Sequence, residues 1–88
     1  MDIHKFVEKY LHHPIFFNID GVEYAGTIEG TAGSVALEEY TKYITVNSDG
    51  FVYPILIHTK NINLDKTYDE FYNDLFLLIF SKNDKESY

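Results

Sequence analysis

The spacing of apolar residues changes at Pro14, and this change constrains the fold more than any other feature of the chain. Before it, five apolar residues share one face at helical spacing: Ile3, Phe6, Val7, Tyr10 and Leu11. Asp2 precedes them and is placed to cap a helix. After Pro14, apolar residues alternate with the period of two that is typical of β-strands. Because proline cannot continue a helix, the sequence predicts a helix followed by β-structure.

The first β-hairpin is predicted around Asp20-Gly21, a two-residue turn of the type that reverses an antiparallel pair. Ile15–Ile19 alternates before the turn, and Val22–Gly26 continues on the return strand. Gly30 and Gly33 are interpreted as bracketing a flexible connection to the second hairpin.

A second hairpin is predicted at Asn47-Ser48-Asp49-Gly50. Residues 35–39 fit either a helix or a strand, and we favour a long strand that reaches Asn47. The return strand is predicted as Phe51–His58, where Pro54 indicates an edge strand or a bulge.

The last element is predicted to be a helix that follows a short polar connection over residues 59–66. Thr67 and Glu70 have the spacing of a capping box. Apolar residues cover one side of the helix and then widen to nearly all of it: Phe71, Leu75, Phe76, Leu77, Leu78, Ile79 and Phe80. Such a helix is either deeply buried or shared with another chain, and a homo-oligomer joined through Leu75–Phe80 is one of the interpretations left open. The tail over residues 82–88 is expected to be frayed.

These elements predict an α+β fold with the order α-β-β-β-β-α, in which a four-stranded antiparallel sheet carries two helices. A chain of 88 residues forms a single domain, residues 1–88. Its 45% hydrophobic and 17% aromatic content supplies a packed core despite the small size.

The charge is strongly one-sided. The chain has seven lysines against 14 Asp and Glu residues and no arginine, so its net charge is −7. Phosphates would be repelled, so direct nucleic-acid binding is not expected. An acidic surface instead favours a basic protein partner, and the alternative is that the charge serves solubility alone.

The residue patterns give no support for catalysis, a metal site or a cofactor. The four histidines, His4, His12, His13 and His58, lack the spacing of a joint ligand set. Neighbouring carboxylates such as Glu38-Glu39 are more simply solvated. The longest apolar run, Leu75–Phe80, is too short to cross a membrane, and no signal peptide is recognisable. We therefore expect a cytoplasmic, non-enzymatic protein.

The candidate partner-binding residues are acidic or belong to the second turn. Asp49 and Gly50 occupy the predicted hairpin tip beside Asn47, although an Asp-Gly pair also serves simply to make a turn. Further carboxylates extend the candidate surface: Glu23, Glu29, Glu38, Glu39, Asp69, Glu70 and Asp74.

Three stretches carry a resemblance to a known family: Met1 through Gly21, Val46–Gly50 with Tyr53 and Ile55, and Glu70–Asp74. In order and total length they resemble the small acidic anti-CRISPR proteins of Listeria prophages, which inhibit type II-A CRISPR effector nucleases. The resemblance covers about half of the chain. An extra segment, about residues 23–38, interrupts it.

The resemblance implies a phage-encoded inhibitor that binds a guide-loaded nuclease in a bacterial host cell. Its carboxylates would stand in for DNA phosphates in the basic cleft that reads the motif beside the target. Asp49 and Gly50 match the hairpin-tip pair of the family, and Asp69 and Glu70 match its acidic helix start in character. The alternative is an immunity or antitoxin protein that neutralises a basic toxin enzyme.

Overall fold

The computed structural model describes residues 2–32 and 42–80. Its helices and strands are α1 (Ile3–Lys9), β1 (Pro14–Ile19), β2 (Val22–Thr31), β3 (Tyr43–Ser48), β4 (Ile55–His58) and α2 (Asp69–Phe80). Two short 3-10 helices, Thr59–Asn61 and Leu64–Lys66, precede α2. The predicted α+β fold and the order α-β-β-β-β-α are confirmed. The strand favoured for residues 35–41 and the frayed tail lie outside the described residues.

Helix α1 begins as the sequence predicts, because the Asp2 carboxylate accepts a hydrogen bond of 2.9 Å from the backbone N–H of Lys5. It ends earlier than predicted. His12 adopts a positive φ of 66°, and its N–H donates to the carbonyl of Ile28 at 2.7 Å. The chain therefore leaves the helix before Leu11, which is exposed, and the prediction that Leu11 shares the buried face is wrong.

The four strands form one antiparallel sheet in the order β1-β2-β3-β4. Strand β2 runs on to Thr31 and contains a bulge between Ile28 and Gly30, so Gly30 does not belong to a connection. Bulges bend a strand and increase its twist. The chain after β4 returns to the free edge of β1, where Ile62 bridges Phe17 and the N–H of Asn63 donates to the carbonyl of Phe16. The sheet is therefore curled, and the edge of β1 is covered.

The core lies between the concave face of this sheet and the two helices. Phe6 of α1, Phe17 of β1 and Leu75 of α2 are fully buried. Phe6 stacks on Phe71 at 5.7 Å between ring centroids, which joins the two helices. The period-two pattern brings Ile28, Ile44 and Val46 of the central strands to the same face, and all three are fully buried. This small core is rich in aromatic and β-branched side chains, as the composition suggests.

The second hairpin differs from its prediction. Strand β3 pairs with β4 from Tyr43↔His58 to Val46↔Ile55, so residues 47–54 connect the two strands. The predicted return strand Phe51–His58 is therefore wrong in its first half. Asn47 and Ser48 pair with β2 on their other side, and Pro54 ends the connection just before the edge strand. Proline has no N–H to donate to a neighbouring strand, which agrees with its position just outside β4.

The predicted capping box at the start of α2 is also wrong. The Thr67 hydroxyl donates back to the carbonyl of Leu64, and the Glu70 carboxylate is bound to Lys9. The other end of α2 receives the Lys42 ammonium, which contacts the carbonyl of Leu78. A cation there complements the negative end of the helix dipole. Tertiary contacts thus replace a local cap.

Candidate partner-binding surface

The turn that holds Asp49 is fastened to β2. The Ser48 hydroxyl donates to the carbonyl of Ala25 at 2.8 Å, and the N–H of Phe51 donates to the carbonyl of Ser48 at 3.0 Å. The Phe51 ring lies 5.2 Å from Tyr24, which in turn stacks on buried Phe17 at 5.8 Å. A short turn is thereby held by a hydrogen bond and by a row of aromatic rings that reaches the core. Asp49 is exposed on this fixed support.

A groove of about 520 Å³ opens beside Asp49. Its walls come from β2 and from the β3 turn: Ala25, Gly26, Thr27, Asn47, Ser48, Asp49 and Phe51. Gly26 faces the backbone of Asn47 so closely that a side chain there would collide with it. The groove therefore places the exposed Asp49 carboxylate beside the polar side chains of Thr27, Asn47 and Ser48. Such a set accepts hydrogen bonds from lysine or arginine.

Gly50 is not required by the backbone of this turn. Among the described residues, positive φ values occur at His12, Asp20, Gly21 and Asp69, and neither Asp49 nor Gly50 is among them. A Cβ added at Gly50 would make ordinary contact with the Tyr24 ring at 3.4 Å. The backbone of this turn therefore does not require a glycine, and this weakens the interpretation that the Asp-Gly pair serves only to make the turn.

The first Asp-Gly pair behaves differently. Asp20 and Gly21 have φ values of 51° and 82°, and Ile19 pairs with Val22 directly across them. This is the two-residue hairpin turn whose geometry requires positive φ at both positions. The Asp-Gly dipeptide thus adopts positive φ angles in a two-residue turn in the first hairpin and does not do so in the second.

Two of the predicted acidic residues on α2 are used inside the fold. Lys9 contacts the carboxylates of both Glu70 and Asp74, the latter at 2.9 Å. The Tyr10 hydroxyl also donates to Asp74, at 2.6 Å. The carboxylates of Glu70 and Asp74 therefore join α1 to α2. Asp69 is exposed at the start of the helix, with a positive φ of 48°.

We call Lys9, Tyr10, Glu70 and Asp74 the α1–α2 cluster, and their contacts shift the pKa values of several members. Burial, together with the hydrogen bond to Asp74, raises the pKa of Tyr10 to about 12. The same hydrogen bond and the Lys9 ammonium lower the pKa of Asp74. The two carboxylates raise the pKa of Lys9. Each shift stabilises the protonation state that the contact needs at neutral pH.

Other predicted carboxylates are engaged as well. Glu23 accepts from the Lys66 ammonium and from the Asn63 amide, both at 2.9 Å, and these contacts lower its pKa. Glu29 accepts from the Thr27 hydroxyl at 2.9 Å. Glu38 and Glu39 lie outside the described residues. The predicted site residues that the structure describes therefore separate into the Asp49 groove, the α1–α2 cluster, and carboxylates that belong to neither: Glu23, Glu29 and Asp69.

Three of the five lysines in the described part of the chain are bound within the molecule. Lys9 and Lys66 form ion pairs with carboxylates, and Lys42 contacts the end of α2. By contrast, within residues 2–32 and 42–80, five carboxylates neither accept a hydrogen bond nor form an ion pair: Glu8, Asp20, Asp49, Asp65 and Asp69. The exposed charge that is available to another molecule is therefore predominantly negative.

Histidines form no metal centre in the described part of the chain, where no three His, Asp or Glu side chains come together. His12 lies 3.4 Å from Glu29, and burial lowers the pKa of His13 and of His58. No helix among the described residues has the length and apolarity to span a membrane.

Sequence reasoning missed the β2 wall of the groove and the aromatic support of the turn. The run Ala25-Gly26-Thr27 is a signal for the first, because three small residues in a strand allow a close approach. It also missed Tyr68 and Tyr72. Together with Phe76 and Phe80 they form a row of aromatic residues, each four positions after the one before. No signal in the sequence indicates that Phe51 contacts Tyr24.

No protein-family model, curated protein or solved structure matches this chain.

Proposed function

We propose that this protein is an acidic binding module that engages a basic protein partner through the Asp49 groove. The observation that carries the proposal is the exposed Asp49 carboxylate, which lies on a fastened turn beside a groove whose lining includes Thr27, Asn47 and Ser48. Arginine and lysine side chains suit such a site because they donate several hydrogen bonds and carry the opposite charge. Because the turn is held in place, little ordering entropy is lost on binding.

The surrounding charge supports the same partner. The chain carries a net charge of −7, and three of the five lysines within residues 2–32 and 42–80 are occupied by internal contacts. Oppositely charged surfaces steer their encounter and raise the association rate. Binding should therefore weaken as salt is added, since exposed charges are screened over about 8 Å at physiological ionic strength.

The partner that we propose is a guide-loaded type II CRISPR effector nuclease, and this choice rests on the resemblance of three stretches to anti-CRISPR proteins. Such a nuclease reads its short DNA motif with arginine side chains in a basic cleft. An acidic module placed there would compete with the target-adjacent duplex for those side chains. The proposed activity is thus inhibition of target binding by mimicry of DNA charge, without catalysis.

The test is a competition assay with a purified guide-loaded type II-A nuclease and a labelled duplex that contains the motif. The intact protein should displace the duplex, and Asp49→Asn should weaken this displacement by about tenfold, which corresponds to roughly 1.4 kcal/mol. Asp20→Asn is the matched control, because it removes the same charge from the other Asp-Gly turn. Its effect should stay below about twofold if the Asp49 groove makes the contact.

Two outcomes would separate the parts of the proposal. If the intact protein fails to displace the duplex or to bind the nuclease, the CRISPR partner is wrong. A basic toxin enzyme encoded next to the gene, bound in an Asp49-dependent way, would then favour the immunity-protein alternative. If Asp20→Asn and Asp49→Asn weaken binding equally, the groove is not the contact and only the overall charge matters.

A further inference from the structure

The exposed side of α2 carries a row of large apolar side chains at a spacing of four residues. It begins at Tyr68, just before the helix, and continues with Tyr72, Phe76 and Phe80, with Leu77 beside it. Their exposed fractions are 73%, 38%, 44% and 56% for the aromatic residues and 54% for Leu77. We call these five side chains the α2 stripe. The buried side of the same helix, formed by Phe71, Leu75 and Leu78, already packs on the core, so the stripe is a second apolar face.

The stripe is ordered by its own contacts. Tyr72 stacks on Phe76 at 6.1 Å between ring centroids, and Phe76 lies 4.6 Å from Phe80. Aromatic side chains lose little rotamer entropy when they are already stacked, and they dominate the energetics of protein interfaces. The stripe therefore presents a largely preformed contact surface.

The stripe is also free of charge, in an otherwise acidic protein. The five side chains of the stripe are all uncharged. Of the three α2 carboxylates, Glu70 and Asp74 are bound to Lys9 at the contact with α1, and Asp69 is exposed next to Tyr68 at the start of the helix. A basic partner would find no carboxylate among these five side chains, whereas two copies of the stripe could meet without direct repulsion. The uncharged, apolar character of the stripe thus matches a second copy of itself better than it matches the basic partner proposed for the Asp49 groove, and this match acts against the general repulsion between two chains of net charge −7.

The area is sufficient for a weak dimer. At about 200 Å² for each fully exposed side chain, the exposed fractions amount to roughly 500 Å² per copy. Two copies would bury at most roughly 1,000 Å² in total, if all of this surface were covered, which is about the threshold that a specific interface must clear. The helix is roughly 18 Å long, so two antiparallel α2 helices can align their stripes over their full length. A two-fold arrangement uses the same patch on both copies.

We propose that the α2 stripe is a self-association surface, through which two copies of this chain pair their α2 helices about a two-fold axis. This inference does not depend on the identity of the basic partner, and none of the residues that line the Asp49 groove belongs to the stripe. A dimer would therefore present two acidic grooves.

The test is sedimentation velocity of the full chain, from about 1 μM to about 500 μM, a range that brackets weak interfaces of this size. The intact protein should shift from monomer to dimer across this range. Phe76→Lys and Leu77→Lys, measured separately, should each raise the dimer dissociation constant at least about tenfold, because a charge at the centre would have to be desolvated. The matched control is Tyr53→Lys, which places the same charge at a side chain that is 77% exposed outside α2.

Salt gives a second, independent signature. Added salt should strengthen the dimer or leave it unchanged, because screening reduces the repulsion between two copies that each carry a net charge of −7. Isotope-filtered NMR on a mixture of labelled and unlabelled chains should show intermolecular contacts between the rings of Tyr72, Phe76 and Phe80. Circular dichroism of each variant verifies that the fold is retained, and Leu77→Lys serves where Phe76→Lys does not fold.

Three results would overturn the proposal. A strictly monomeric intact chain at the highest concentration would show that the stripe does not associate. A dimer that is weakened by Tyr53→Lys and unaffected by either α2 variant would place the interface elsewhere. Contacts from the stripe to the residues after Phe80 of the same chain, with no intermolecular contacts, would identify the chain's own tail as the occupant.

Discussion

The Asp49 groove and the α1–α2 cluster both contain carboxylates that the sequence marks as candidate contacts, yet the fold uses them in opposite ways. Asp49 is exposed and has no partner among the described residues, while the turn beneath it is fastened by Ser48 and Phe51. Asp74 is largely covered and accepts hydrogen bonds from Lys9 and Tyr10. A carboxylate that is already satisfied within the fold has little to offer to a partner. Acidic residues in a sequence therefore cannot be counted as binding residues until their own contacts are known.

The largest expected effect comes from removing the carboxylate of the α1–α2 cluster. Asp74→Ala leaves the Tyr10 hydroxyl unpaired at a position that is only 8% exposed, and it removes one of the two partners of Lys9. Loss of a charge-assisted hydrogen bond at such a site costs about 1.5–3 kcal/mol. Urea unfolding measures this change. Asp49→Ala is the comparison, and its stability should change by less than about 0.5 kcal/mol. Equal destabilisation by the two variants would break the distinction between the regions.

The same cluster predicts how stability depends on pH. Because the pKa of Asp74 is lowered in the folded state, its contribution is present above its unfolded value of about 3.9 and is lost as the pH falls through the folded pKa. Burial lowers the pKa of His13 and His58, so stability also decreases as the pH falls below about 6.5. The pKa of Tyr10 is raised to about 12, so its contribution is lost as the pH rises from about 10 towards that value.

Urea unfolding at a series of pH values tests this profile. Asp74→Asn should remove the part of the acid loss that lies below about pH 4, because the group that titrates there is gone. Asp49→Asn is the matched control, since its carboxylate has no partner within the described fold. An unchanged profile for Asp74→Asn would show that the cluster does not supply the pH dependence.

The two Asp-Gly turns sharpen the comparison at the level of the backbone. Gly21→Ala should cost about 1–2 kcal/mol, because alanine is strained at a φ of 82°. Gly50→Ala should change stability by less than about 0.5 kcal/mol, since its φ is not positive and a Cβ has room beside Tyr24. Thermal unfolding of both variants measures the difference. A large cost at Gly50 would mean that the Asp49 turn needs its glycine after all.

The smallest expected effect concerns the fastening of the Asp49 turn. Ser48→Ala removes the hydrogen bond to the carbonyl of Ala25 and should cost about 1 kcal/mol of stability. If the fixed turn is what preorganises Asp49, the variant should also weaken partner binding more than its stability loss alone explains. Thr45→Ala, on the same strand but outside the groove, is the control. Equal affinities for the two variants would show that the fastening does not matter for binding.

The outline of the fold was predictable because its signals are local. The change of period at Pro14, the Asp2 cap and the Asp20-Gly21 turn each act over a few residues, and the structure contains all three. The second hairpin was predicted less well. It carries the same Asp-Gly turn signal as the first hairpin. However, Asn47 and Ser48 pair with β2, and β4 begins only at Ile55. Pairing across the sheet overrode the turn signal.

The candidate site was predictable only in part, for the same reason. The sequence by itself determined the sign of the charge, the exposed Asp-Gly pair and the apolar residues of α2. Only the tertiary structure decided which carboxylates remain available, because Lys9 reaches Glu70 and Asp74 across more than 60 residues of chain. It also decided that the widened apolar surface of α2 divides into a buried side and an exposed stripe. The spacing of residues along the chain determines the backbone conformation and the face of a helix or strand on which a side chain lies. The partner of a long side chain depends instead on where distant elements pack.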